Sequence, residues 1–237
     1  MIESSTEQSV TVLTIDRHER RNALDLDHCR QLQQKVEQAA EKARAIVITG
    51  AGSSFCAGAD LAGVYEPEFR EALYGMLTAV ASTKVPVIAS INGPAIGAGT
   101  QLAIACDLRV AAPSARFAVP TARNGLAVDP WTVRRLSLLA GGGTARGLLV
   151  GCETYGPELA HSRGLVDRLG EHADALAWAT ELASLAPLSL AYSKLALEPE
   201  ADQAEVEAAF EACWTSEDRV EGERARAERR PPNFSGR

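Results

Sequence analysis

Two short segments rich in glycine and alanine could do chemistry through their backbone. Ser54-Phe55-Cys56-Ala57-Gly58-Ala59-Asp60-Leu61 follows the apolar run Ala45-Ile46-Val47-Ile48-Thr49, and Asn92-Gly93-Pro94-Ala95-Ile96-Gly97-Ala98-Gly99 follows Val85 to Ile91. Small side chains let another molecule approach the main chain closely. The second segment runs into Gln101-Leu102-Ala103-Ile104-Ala105, which reads as a helix start, so unpaired N–H groups and the positive end of the helix dipole face the turn. Two such turns side by side offer two donors to one carbonyl oxygen, the arrangement that stabilises an oxyanion.

The elements around these turns follow from periodicity. Val10 to Ile15 alternates as a strand does. Leu26, Cys29, Leu32, Val36 and Ala39/Ala40 recur at helical spacing behind Asp25, a plausible N-cap. Ala45 to Thr49 and Val85 to Ile91 are continuous apolar strands, Tyr65 to Ser82 is a helix, Asp107 to Ala111 and Arg116 to Val119 are strands. Alternation of helices with such strands predicts an α/β chain with a buried parallel sheet. From about Trp131 onward the chain reads as helices near 131–139, 143–150, 157–164, 172–186, 188–197 and 202–229.

These residues carry a resemblance. Phe55-x-Ala57-Gly58-Ala59-Asp60-Leu61, then Asn92-Gly93-x-Ala95-x-Gly97-Ala98-Gly99, then Ala103-Ile104-Ala105-Cys106-Asp107-Leu108-Arg109 resemble, in order, the motifs of the crotonase (enoyl-CoA hydratase/isomerase) family. Arg20-Arg21-Asn22-Ala23-Leu24 is similar to its N-terminal segment. Ser216 to Phe234, with Asp218, Glu221-Gly222, Arg230 and Phe234, is similar to its C-terminal helix and tail. The resemblance implies the crotonase-like α/β fold, a spiral of β-β-α units with a helical C-terminal region. It divides the chain into a core over 1–190 and a helical region over 191–237, and implies a homotrimer or a dimer of trimers.

It also implies a ligand and its site. The ligand is an acyl-CoA or enoyl-CoA thioester, with coenzyme A as part of the ligand and no further cofactor. By position, Ala59 and Ala98 supply the oxyanion-hole N–H groups. Arg21, Ala23, Leu24, Ala57, Asp60 and Leu61 lie along the CoA, Ile96, Gly97 and Pro120 are further substrate- or CoA-binding positions, and Trp131 lines or gates the acyl channel. Hydratases of the family use two glutamates to position a water and move its proton. Those positions here are Gln101 and Thr121, and neither residue type shuttles protons near neutral pH. Asp129 stands where dienoyl-CoA isomerases and 4-chlorobenzoyl-CoA dehalogenases carry a functional aspartate. Asp129-Pro130-Trp131 also reads as a helix N-cap with proline in the first turn. Further segments resemble an actinobacterial and mycobacterial branch that lacks both glutamates: Gly93-Pro94-Ala95-Ile96-Gly97-Ala98-Gly99, Leu126-Ala127-x-Asp129-x-Trp131-x-x-Arg134-Arg135-Leu136 and the ending Arg229-Arg230-Pro231-Pro232. That branch is associated with acyl-CoA binding and mycolic-acid synthesis. Three functions therefore stand open: a binder with little or no hydratase activity, an active enoyl-CoA hydratase, and an isomerase or hydrolase acting through Asp129.

Composition bounds the rest. The 237 residues carry a net charge of −7 and are 46% hydrophobic, which suits a sizeable core and argues against a general nucleic-acid binder. Arg17, Arg20 and Arg21 form a local basic cluster, which the resemblance places near the CoA phosphates. The five cysteines are scattered without a Cys-x-x-Cys pair, as expected of free thiols in a cytoplasmic protein. Cys56 reads as a small packed residue. His18, His28, His161 and His172 have no metal-like spacing, no metal site is expected, and all four read as surface residues. No signal-peptide pattern and no membrane-spanning run is present.

Overall fold

The computed structural model describes Met1 to Arg237. In chain order it holds β1 (Ile2–Glu7), β2 (Val10–Ile15), α1 (Leu26–Ala40), β3 (Ala45–Gly50), α2 (Pro67–Ser82), β4 (Val87–Ile91), β5 (Pro94–Ile96), α3 (Ala98–Ala105) and β6 (Leu108–Ala111). There follow β7 (Arg116–Ala118), α4 (Pro130–Leu149), β8 (Thr154–Tyr155), α5 (Pro157–Ser162), β9 (Arg168–Leu169), α6 (His172–Ala183), α7 (Pro187–Ala196), α8 (Gln203–Thr215) and α9 (Glu217–Glu228). The main sheet has the order β1-β2-β3-β4-β6-β9, parallel except for the β1–β2 hairpin. A smaller sheet, β5-β7-β8, holds the second glycine-rich segment.

Every residue of β3 and β4 is buried, because the sheet is covered on both faces. Ile46 and Ile48 point into the larger core, with Leu32 and Val36 of α1 and Leu73, Met76 and Leu77 of α2. Ala45, Val47 and Ile88 face the other way, onto Ala175, Ala179 and Ala183 of α6. α1 starts where its cap predicts, with Asp25 accepting from the His28 amide at 2.9 Å.

The departures from the sequence expectation have local causes. β1 escapes the periodicity because it is an edge strand with one buried residue, Ile2. The strand expected from Val85 begins at Val87. α3 begins at Ala98 rather than Gln101: Gly97, at φ 54°, ends β5, and the glycine and threonine of the first turn disguise it. Gly141, at φ 77°, breaks α4 into the two pieces expected. The helix expected over 202–229 is two, parted at Ser216, whose hydroxyl caps α9 by accepting from the Arg219 amide at 3.1 Å. Two histidines are not on the surface. His28 is buried, its ring between Asp25 at 2.6 Å and the N-terminal amine at 2.9 Å. His172 is half-buried and bonds Ser90 Oγ at 2.9 Å, and burial pushes its pKa below 6.5. No helix is long and apolar enough to cross a membrane.

Candidate functional site

The two glycine-rich turns are stitched together by main-chain bonds. Cys56 N–H donates to Pro94 O at 3.1 Å, and Ile96 N–H donates to Cys56 O at 2.9 Å. The close packing requires glycine: a Cβ at Gly99 would fall 2.0 Å from Cys56 O, and one at Gly93 would fall 2.1 Å from Ser53 O. On the far side of the first turn, Leu24 N–H donates to Gly58 O at 2.8 Å and Asp60 N–H to Leu24 O at 2.7 Å. Beyond the second turn, Gly97 N–H donates to Ala118 O at 2.8 Å, and the buried Thr100 hydroxyl reaches Ala95 O at 2.6 Å.

This lattice leaves the Ala59 and Ala98 amides without a protein acceptor, and both residues line one cavity. Ala98 is the first residue of α3, so its N–H lies at the positive end of the helix.

The cavity measures about 270 Å³ and is mostly apolar. It gathers Ala57, Ala59, Leu61, Ile96, Gly97, Ala98, Gln101, Pro120 and Thr121 of the expected site. Arg21, Ala23, Leu24 and Asp60 do not line it. Leu24 is fully buried and offers its backbone to the first turn. Asp60 is bound by Arg17 at 2.9 Å, and the Ala62 amide together with Arg17 holds its carboxyl below its ordinary value. Arg17 also reaches Asp25 at 3.2 Å, so it is committed within the fold, whereas Arg20 and Arg21 are exposed. Trp131 lies outside this cavity and lines a neighbouring one of about 220 Å³ with Arg135, Leu138, Leu195 and Glu198.

Asp129 caps α4, accepting from the Thr132 amide at 3.0 Å and the Thr132 hydroxyl at 2.5 Å. Gln101, 4% exposed, sends its side-chain N–H groups to Asp129 Oδ2 at 3.2 Å and Thr132 Oγ1 at 2.9 Å. Behind the cavity wall the aspartate is thus held by the cap and by Gln101. No aspartate, glutamate or histidine lines the cavity itself. Cys56 is buried, its thiol pushed up to about 12, and it is no nucleophile.

Sequence reasoning missed one wall of the cavity. Phe69, Arg70, Leu73 and Tyr74 of α2 line it, and their i, i+3 and i+4 spacing marks a stripe beside the core face. Tyr74 is half-buried, and burial, with the Asp129 charge, pushes its phenol above its ordinary value. Nor does any local signal show that Asn22 buries its side chain against the entry to the first turn, donating to Ser54 O at 2.7 Å and Ala51 O at 2.9 Å.

The family profile described as enoyl-CoA hydratase/isomerase matches residues 5–237. The chain belongs to that family. Among its enoyl-CoA hydratase/isomerase relatives, a Mycobacterium bovis protein named "probable enoyl-CoA hydratase echA6" is 44% identical, the alignment covering 100% of each chain. The 2,3-dehydroadipyl-CoA hydratase of Escherichia coli is 33% identical over 98% of each. Among solved structures, an enoyl-CoA hydratase from Bacillus anthracis superposes with a TM-score of 0.88 at 31% identity, covering 100% of this chain and 99% of its own. An enoyl-CoA hydratase/isomerase family protein from Hyphomonas neptunium gives 0.91 at 30%, covering 100% and 98%. The mixed sheet and its helices are therefore a crotonase fold, as the sequence motifs imply.

Proposed function

We propose that this enoyl-CoA hydratase/isomerase family protein binds fatty acyl-CoA thioesters, holding the thioester oxygen on the Ala59 and Ala98 amides, and has little or no hydratase activity. The observation that carries the reading is a cavity lined by Ala59 and Ala98, whose amides are unpaired, with no carboxylate in its lining. Two donors polarise a carbonyl, but hydration of a conjugated double bond also needs a positioned acid and base, worth about 10²- to 10⁴-fold. Neither Gln101 nor Thr121 carries a group that titrates near neutral pH.

The exposed Arg20 and Arg21 suit the CoA phosphates. The protein is a homotrimer or dimer of trimers; the exposed Phe210, Trp214 and Leu197 in the last helices support a face that another copy covers. Five unpaired thiols suit a cytoplasmic protein.

The deciding experiment follows the enoyl-thioester absorbance with trans-2-enoyl-CoAs from short to long chain, alongside binding of the same compounds. Binding without loss of absorbance is the expected result. Turnover near that of an authentic hydratase overturns the reading in favour of an active enoyl-CoA hydratase, whose name several relatives bear. Turnover of another kind that ends in Asp129→Asn favours an isomerase or hydrolase.

A further inference from the structure

One arginine ties together the two segments that carry the Ala59 amide. Leu24 and Ala59 pair in parallel: Leu24 N–H donates to Gly58 O at 2.8 Å, and Asp60 N–H to Leu24 O at 2.7 Å. Gly58 C=O and Ala59 N–H belong to one planar trans peptide and point opposite ways, so whatever holds Gly58 O also aims the Ala59 N–H. Arg17 spans this pairing. On the Leu24 side its Nη1 donates to Ala23 O at 3.0 Å and meets Asp25 Oδ2 at 3.2 Å. On the Ala59 side its Nη2 meets Asp60 Oδ2 at 2.9 Å.

The arginine is fixed at its root as well as at its tip. Its own N–H donates to Asn22 Oδ1 at 3.0 Å, and its C=O accepts from Asn22 N–H at 2.9 Å. Asp60 keeps its other oxygen on the Ala62 amide at 3.1 Å. The Arg17 and Asp60 side chains are each 17% exposed, so salt screens their pair less than it screens a surface one. A planar guanidinium fork holds several acceptors at set positions, which a lysine ammonium does not.

We propose that Arg17 is a positioning residue for the thioester oxygen: by tying Asp25 to Asp60 across the Leu24–Ala59 pairing, it fixes the direction of the Ala59 amide without touching the ligand. The inference rests on the reading that this oxygen sits at Ala59 and Ala98. Without the guanidinium, Asp25 and Asp60 repel across the pairing, and the Ala59 N–H is free to turn from the ligand. The loss then falls on ligands that carry the carbonyl oxygen.

Calorimetric titration with octanoyl-CoA and with S-octyl-CoA, a thioether lacking that oxygen, tests this on the wild type, Arg17→Met, Arg17→Lys and Asp60→Asn. The wild type is expected to prefer the thioester by at least about tenfold. Arg17→Met is expected to cut that preference about fivefold and to leave the affinity for S-octyl-CoA within about twofold. Asp60→Asn is expected to do the same, with Arg17→Met and Asp60→Asn together costing no more than either, and Arg17→Lys to recover part of the preference. The infrared carbonyl band of bound octanoyl-CoA, isotope-labelled at that carbon, should lie below the free ligand's in the wild type and move back toward it in Arg17→Met. If Arg17→Met does not fold by circular dichroism, Asp60→Asn carries the same test. Equal weakening of both ligands in the variants overturns the inference and gives Arg17 to the CoA moiety or to the fold at large, and an unchanged preference overturns it too. A wild type that binds both ligands alike overturns the placement of the thioester oxygen, and the inference with it. Failure of both to bind overturns the acyl-CoA reading itself.

Discussion

Gly99 and Cys56 approach so closely that a methyl group on the Gly99 Cα would fall 2.0 Å from the Cys56 carbonyl oxygen. Contact at that distance cannot be relieved by a rotamer, because both partners are backbone or bonded directly to it. Helix α3 and the first glycine-rich turn must part to admit it. Gly99→Ala is therefore expected to separate the Ala59 and Ala98 amides, abolish acyl-CoA binding and lower the melting temperature by several degrees. Gly143→Ala, where an added Cβ meets nothing within 4 Å, serves as the control in calorimetry and thermal unfolding.

The donor role of a backbone amide can be tested by removing it. Ala98 is the first residue of α3, where proline is tolerated because the N–H makes no intrahelical bond. Ala98→Pro is expected to keep the fold by circular dichroism and to weaken acyl-CoA binding about tenfold. An S-alkyl-CoA thioether, which has no carbonyl oxygen, separates the causes. Loss of the donor weakens the thioester alone, whereas crowding by the proline ring weakens both ligands equally.

Introducing carboxylates into the cavity should introduce proton transfer. Gln101→Glu with Thr121→Glu is expected to raise hydration of a trans-2-enoyl-CoA by at least about 10²-fold over the wild type, with either single change far less effective. In the Gln101→Glu variant a carboxylate replaces the amide that now faces Asp129 Oδ2 at 3.2 Å. Two carboxylates at that spacing do not both ionise readily, so the activity of the double variant is expected to sit on a raised apparent pKa. Adding Asp129→Asn should move that limb of the pH–rate profile downward.

Three of the five carboxyls held below their ordinary values bear on acid stability here. Asp60 is held below its ordinary value by the Ala62 amide and Arg17. For Asp25, burial opposes ionisation, but hydrogen bonds from His28 and the charge of Arg17 outweigh it. Glu221 is lowered to about 2 by Arg230 and the Asn233 amide. Each folded-state pKa lies below its unfolded value of 3.8 or 4.5, so the stability they contribute is fully present above that range and is lost as pH falls through the folded values. Melting temperature is expected to hold down to about pH 5 from these groups and to drop steeply below about pH 4. Arg17→Met should flatten that drop.

Thiol reactivity gives a check on packing. Cys29, Cys56 and Cys106 are buried with thiols pushed up to about 12, while Cys152 and Cys213 are partly exposed. Titration with an aromatic disulfide is expected to label at most those two in the native protein and all five after denaturation. Rapid native labelling of a third thiol would contradict the packing of the first turn.

Much of this arrangement is legible in the chain because its causes are local. Ala45 to Thr49 is apolar at every position but the last, as a strand covered on both faces must be, and Asp129-Pro130 announces the start of α4 by its capping chemistry alone. What stays hidden depends on contacts across the fold. Arg17 reads as a candidate for phosphate in the sequence, yet Asp25 and Asp60, far apart along the chain, share it. His172 reads as a surface residue because nothing near it in sequence shows Ser90 beneath it. The Gln101–Asp129 bond joins residues 28 apart, so nothing local to Gln101 shows that its side chain donates to the cap of α4. α3 begins ahead of Gln101 for a related reason: Gly97 and Gly99 speak against a helix in isolation, while the φ of 54° at the first and the packing of the second against Cys56 require them.

The unpaired donors of Ala59 and Ala98 are main-chain groups. Apart from proline, no substitution at 59 or 98 deletes them, and every side chain around them can change while they stay in place. On the proposed reading, the grip on a ligand oxygen would travel with the folding pattern, and the reactive chemistry would depend separately on single side chains. A chain of this fold without an acid and base would then still be a receptor, free to serve transport, sensing or a different reaction.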